Sequence, residues 1–310
     1  MQKLLGIIGP TAVGKSAVAI ELACGHPAEI VSCDSMQVYR GLDIGTAKTG
    51  ERERREVPHH LLDIVDPEGD FTVADYQIKA RAAIMEIQQR GKLPILVGGS
   101  GLYYQAVVDH YDFVPLPGQP ILRQQLEQRA NQAGISSLYQ ELQQIDPDYA
   151  LKIGPNDRKR IIRGLEVYLL TGTPFSQTQR KRESGYDLLI IGLTLEREEL
   201  YRRIETRVDL MLEQGLVNEV AALKQSGYDL SCKSMNSLGY RQVQMYLNGA
   251  LSYDQMVTDI KKESRRFAKR QITWFKRDHR IQWIDCGLYD QPQVIVKKIE
   301  YLMAQKQYFV

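Results

Sequence analysis

At 310 residues the chain can bury a full core and is long enough for one large domain or two. A net charge of +2, with a quarter of the residues charged and no low-complexity tract, describes an ordinary soluble globular composition. Cys24, Cys33, Cys232 and Cys286 lie far apart with no C-x-x-C pair, which argues against a metal knuckle or disulfide framework and for a reducing cytoplasm; no apolar run reaches membrane-spanning length.

The first predicted element is a buried strand, "LLGII", followed by "GPTAVGKS": Gly9, Pro10, Thr11, Ala12, Val13, Gly14, Lys15 and Ser16. This matches G-x-x-x-x-G-K-[ST], a loop whose N–H groups cradle phosphates while the lysine reaches the outer phosphate and the hydroxyl can ligate magnesium. "SAVAIELAC" then reads as a helix stopped by Gly25. A second buried strand, "EIVSCDS", leads to Asp34, Ser35, Met36 and Gln37. Thr72 caps a helix, with Asp75 three residues on, whose stripe is Val73, Tyr76, Ala80, Ala83, Ile84 and Ile87. "LPILVGGS" is a third strand, ending in glycines and Ser100. The alternation predicts an α/β fold: a P-loop-type core with a parallel sheet flanked by helices, its ligands at the carboxyl ends of the strands.

After Tyr111 the texture changes. "DFVPLPGQP" reads as a linker, and the Gln- and Leu-rich stretch from Leu122 to about Tyr149 as a small all-helical insertion. "DLLIIGLTL" restores a buried strand, and Thr194 is expected to cap a helix with the stripe Leu200, Ile204, Val208 and Met211. The resulting division is a catalytic core of residues 1–112 and 185–310, interrupted by a mainly helical insertion at 113–184. Adjacent His59 and His60 point apart in any regular element and are read as packing, not as metal ligands.

The loop alone does not say whose phosphate it holds. Hydrolases of this class usually present a second acid at a neighbouring strand end, where this chain has glycines. Asp34 is the carboxylate on offer, either to bind metal or to take a proton from a nucleophile. Two enzyme readings stay open: an ATP-dependent kinase of a small molecule or nucleotide, or a transferase whose loop holds a diphosphate leaving group. A non-catalytic RNA-binding module is a third. Between Lys261 and Arg280 nine Lys/Arg face only Glu263 and Asp278, with Phe267, Trp274 and Phe275 among them, and Arg158, Lys159, Arg160 and Arg163 form a second cluster. Cations with aromatics that can stack on unpaired bases suit RNA loops.

Taken together, "GPTAVGKS", "VSCDSMQVYRGLDIGTAK", "PHHLLDI", "LVGGSGLY", "NDRKRIIRGLEVY", "RRIETRVDLMLEQGLVNEV", "SLGYRQ" and "AKRQITWFK" resemble the tRNA dimethylallyltransferases (tRNA isopentenyltransferases) over nearly the whole chain. The resemblance implies transfer of a dimethylallyl group from dimethylallyl diphosphate to the exocyclic amine of the adenosine just 3′ of the anticodon, leaving diphosphate. It implies Thr11 to Ser16 on the donor, with Ser16 on Mg²⁺, and Asp34 as general base. Ser35, Met36 and Gln37 would seat a base taken out of its stack. Arg207, and less strongly Arg203, would clamp diphosphate. Ser100 stands where the family has threonine and, with Lys159, Arg160, Ile161, Ile162, Arg163, Gly239, Tyr240, Arg241, Lys269 and Arg270, would touch tRNA. The insertion would lean on the anticodon stem. A cytoplasmic monomer is expected, without the zinc finger of eukaryotic relatives.

Overall fold

The fold is that of a computed structural model, which describes residues 2–109, 119–178, 185–289 and 291–308. Most of the proline-rich stretch after Tyr111 lies outside the described residues. The chain divides into two compact units, Met1–Val108 with Ser184–Val310, and Asp109–Glu183.

The first unit is built on a six-stranded parallel sheet: β1 (Gln2–Ile8), β2 (Ala28–Cys33), β3 (His59–His60), β4 (Leu93–Gly98), β5 (Tyr186–Thr194) and β6 (Ile281–Asp285), in the order β3-β2-β4-β1-β5-β6. Leu5 of the central β1 pairs with Ile95 on one side and Leu189 on the other. Side chains alternate across the pleat into two cores. Leu4, Ile8, Val31 and Leu96 face the helices Val73–Gln89 and Gly101–Val108, while Leu5, Ile7, Ile30 and Ile95 face the helices Lys15–Gly25 and Pro292–Gln305. Thr72 and Asp75 form the expected capping box. The helix after β5 starts differently: Thr194 is the last residue of that strand, and the Glu196 side chain instead accepts the Glu198 and Glu199 N–H groups to cap Arg197–Glu213. Among the described residues no helix is long and apolar enough to cross a membrane.

The second unit holds the helices Pro120–Gln132, Ile135–Ile145, Pro147–Ala150, Arg158–Thr171 and Phe175–Thr178, with no strand among its described residues. Leu126, Leu138, Leu142, Ile161, Ile162 and Leu165 make its own core. Asp157 accepts the Arg160 N–H to cap the basic helix, and its carboxylate also pairs with the Arg160 guanidinium.

Candidate active site

The loop after β1 turns into the helix Lys15–Gly25 through Gly14 at φ +101°, a conformation that favours glycine. That helix has no side-chain cap, so the N–H groups of its first turn point outward, positive end of the dipole foremost. β2 delivers Asp34 alongside. β4 comes close enough to β2 that a Cβ on Gly98 would lie 2.0 Å from the Cys33 carbonyl oxygen, which explains the glycine where related phosphate sites place an acid.

One cavity of about 400 Å³ joins these pieces. Thr11, Lys15 and Ser16 line it from the loop, Asp34, Ser35, Met36 and Gln37 from the end of β2, and Arg207 and Arg270 from two later helices. Lys15 Nζ donates to the Pro10 carbonyl at 2.7 Å. Burial, with the Arg207 guanidinium second, lowers the Lys15 ammonium to about 8. Arg207 is itself lowered by burial, Asp34 opposing, and has no ion pair among the described residues. Three cations thus share a cavity with one carboxylate. Such a site favours a polyanion. Arg203 is sorted out of it: exposed and paired with Glu199 at 2.7 Å, it does not line the cavity.

Asp34 Oδ1 accepts from the Met36 and Gln37 N–H groups at 2.8 and 3.4 Å, leaving Oδ2 without a partner among the described residues. Gln37 bridges two walls, accepting from Ser32 Oγ at 3.1 Å and donating to the Thr46 carbonyl at 3.2 Å. The segment Gly45–Ala47 is held from behind. Glu219 accepts the N–H groups of Asp43, Ile44 and Gly45, and Tyr240 donates its hydroxyl to the same carboxylate at 2.6 Å. Lys48, almost wholly buried, donates to the Tyr39 carbonyl, Asp43 and Asp63.

Several sequence expectations change here. Tyr240 is fully buried on Glu219, so its side chain shapes the wall and cannot meet tRNA; Gly239 lines the cavity and Arg241 is exposed. Ile161 and Ile162 are core residues of the helical unit, leaving Lys159 and Arg160 as the exposed cations of that matched stretch; Arg163 pairs with the buried Glu166. Ser100 does not line the cavity: its hydroxyl accepts the Ser35 N–H at 3.0 Å and so fixes the turn after Asp34. Thr11 spends its N–H on Gln271 rather than leaving it for phosphate. Pro10 has no N–H and its carbonyl holds Lys15, while Val13 is buried and Ala12 adopts φ +63°. Of the three aromatics in the basic segment only Phe267 lines the cavity; Phe275 is core, and Trp274 packs over Gly101.

Other residues gave no functional signal in the sequence. Ile204, Val208 and Met211 were legible as a buried helical stripe, but the same stripe, with Leu216, Leu238 and Ile260, forms an apolar wall of the cavity. Ser237 lines the cavity with a buried hydroxyl that has no partner among the described residues. Gln271 left no signal beyond its place in a matched segment. Tyr103 and Tyr104 fill the core, the first stacked on Tyr76 and the second donating to Asp278.

A sequence model of the IPP transferase family matches residues 37–278. The tRNA dimethylallyltransferase of Syntrophomonas wolfei is 51% identical, the match covering 96% of each chain, and that of Natranaerobius thermophilus is 45% identical over 97% of this chain and 92% of its own. Among solved structures, the tRNA isopentenylpyrophosphate transferase of Bacillus halodurans superposes with a TM-score of 0.75 at 42% identity, covering 99% of this chain and 97% of that one. A eukaryotic dimethylallyltransferase described as acting on tRNA gives 0.80 at 28% identity, covering 99% and 79%. With likeness of this extent in both sequence and fold, the protein belongs to the IPP transferase family.

Proposed function

We propose that this protein transfers the dimethylallyl group of dimethylallyl diphosphate to the exocyclic amine of the adenosine just 3′ of the anticodon, giving N6-dimethylallyladenosine and diphosphate. The observation that carries the reading is the single cavity uniting an uncapped helix N-terminus and two enclosed cations with the free oxygen of Asp34 and an apolar wall. The relatives' names favour it over an ATP-dependent kinase.

The allylic C–O bond breaks as the C–N bond forms. Negative charge grows on the departing diphosphate, where the loop N–H groups, Lys15 and Arg207 stabilise it, while Asp34 takes the amine proton. Among the described residues no three His, Cys, Asp or Glu side chains gather as a metal cage. A site offering only the Ser16 hydroxyl and the Asp34 carboxylate suits Mg²⁺ that keeps its waters and leans on substrate phosphates; when bound it would add charge stabilisation to the leaving group. The amine reaches this depth only if the base leaves its stack. Ser237, Ser35 and Gln37 offer polar contacts to its edge, and Phe267 a face. Lys269, Arg270, Arg241, Lys159 and Arg160 are the exposed cations we assign to the anticodon stem-loop. The enzyme is taken to act as a cytoplasmic monomer.

The test is direct. Protein, Mg²⁺, dimethylallyl diphosphate and undermodified tRNA are incubated, and the digested nucleosides are weighed. Dimethylallyladenosine is the expected product; its absence alongside ATP turnover would award the case to the kinase.

A further inference from the structure

The helix Tyr253–Phe275 carries most of the basic segment, yet one of its residues turns inward to the donor loop. Gln271 is buried, and its amide is used at both ends: Oε1 accepts the Thr11 N–H at 2.8 Å, and Nε2 donates to the Gly99 carbonyl at 3.0 Å. The orientation has no alternative, since a flipped amide would set acceptor against acceptor and donor against donor. Gly99 leaves room for it, a Cβ there falling 2.2 Å from Nε2. On the same helix Phe267, one turn before, and Arg270, the preceding residue, line the same cavity, with Gln271 on its wall.

We infer that Gln271 is a positioning residue, locking the start of the phosphate loop to the end of β4 and to the helix that presents Phe267 and Arg270. Backbone carbonyl and amide are fixed relative to each other by a side chain belonging to the acceptor-facing helix. The loop N–H groups therefore meet the diphosphate in one geometry, set from the side where RNA is taken to enter. This deepens the proposed transfer and rests on that reading of the loop.

The experiment compares wild type with Gln271→Met, which keeps bulk and loses both hydrogen bonds, and Gln271→Glu. Each is assayed for affinity to inorganic diphosphate, kcat/KM for dimethylallyl diphosphate from pH 6 to 8, and tRNA affinity. Leaving a buried N–H and C=O unpaired should weaken diphosphate binding and kcat/KM by about tenfold or more in the Met variant, at every pH. Its tRNA affinity should not change. The Glu variant should show a similar deficit at pH 8, where an ionised carboxylate opposes the Gly99 carbonyl. The deficit should shrink as pH falls and the protonated acid again donates there. Lys15, Asp34, Arg207 and Arg270 share the cavity in all three proteins, so the ratio to wild type isolates position 271. A Met variant with unaltered diphosphate affinity, or one that loses tRNA binding in parallel, would overturn the inference, and so would a Glu deficit independent of pH. Should the Glu variant not fold, the Met variant decides alone. A wild type that binds diphosphate but prenylates nothing would sink the functional reading and leave the diphosphate measurement to judge Gln271.

Discussion

The two ends of β2 treat charge in opposite ways. At its carboxyl end Lys15, Arg207 and Arg270 share a cavity with Asp34 alone, and Arg207 has no ion-pair partner among the described residues. Near its amino end the Glu29 carboxylate, almost fully buried, takes hydrogen bonds from His60 at 2.7 Å, Arg90 at 2.7 Å and Lys92 at 2.9 Å. Burial would raise that carboxyl; the hydrogen bonds from Arg90, His60 and Lys92 overcome it and hold it at about 2. A saturated charge braces the sheet, whereas an unsatisfied one waits for a ligand. Counting charged residues would not tell them apart. Counting partners does.

The contrast can be broken from the carboxyl end first. Asp34→Ala should reduce single-turnover transfer by about 10²–10⁴, the usual worth of a positioned base, while tRNA affinity stays nearly intact. An active variant would remove the base. Arg207→Met should lower kcat/KM for dimethylallyl diphosphate by about 10²–10³, as for other groups aimed at developing charge. Arg203→Met, already satisfied by Glu199, should leave it unchanged. Equal losses at 203 and 207 would erase the distinction.

At the amino end the expected loss is in stability instead. Glu29→Gln should cost about 1–3 kcal/mol in denaturant unfolding by removing the charged acceptor that Arg90, Lys92 and His60 share, with transfer per folded molecule unaltered. The sign follows from linkage. A carboxyl depressed in the folded state contributes stability above its unfolded value, and that contribution is lost as pH falls towards about 2. The gap between wild type and Glu29→Gln should therefore close in acid. Smallest of all, Lys269→Gln with Arg270→Gln should flatten the salt dependence of tRNA binding by roughly 0.7 slope units for each single-strand phosphate that is no longer neutralised.

Much of this architecture was legible in advance, and the exceptions have physical causes. β1, β2, β4 and β5 announced themselves because strands covered on both faces read as unbroken apolar runs. β3 is only two residues long and β6 is an edge strand with Gln282 and Trp283 partly exposed, so neither produces such a run. The phosphate loop was visible because local backbone geometry demands glycine, lysine and serine at fixed spacing. Gln271 and Glu219 were not, because they act on the loop and on Asp43–Gly45 from 260 and about 175 residues away, and nothing periodic marks an interaction of that kind. Tyr240 misled for a related reason: its neighbours in the matched segment reach the cavity while it faces Glu219.

The enclosure of Lys15 beside Arg207 has a kinetic corollary. On the proposed reading of the site, their mutual repulsion is relieved by any pyrophosphate, spent as well as fresh. The by-product of one turnover is thus a competitor for the next. Throughput then depends on how quickly that by-product is cleared from solution, and a pyrophosphatase added to the assay should lengthen its linear phase.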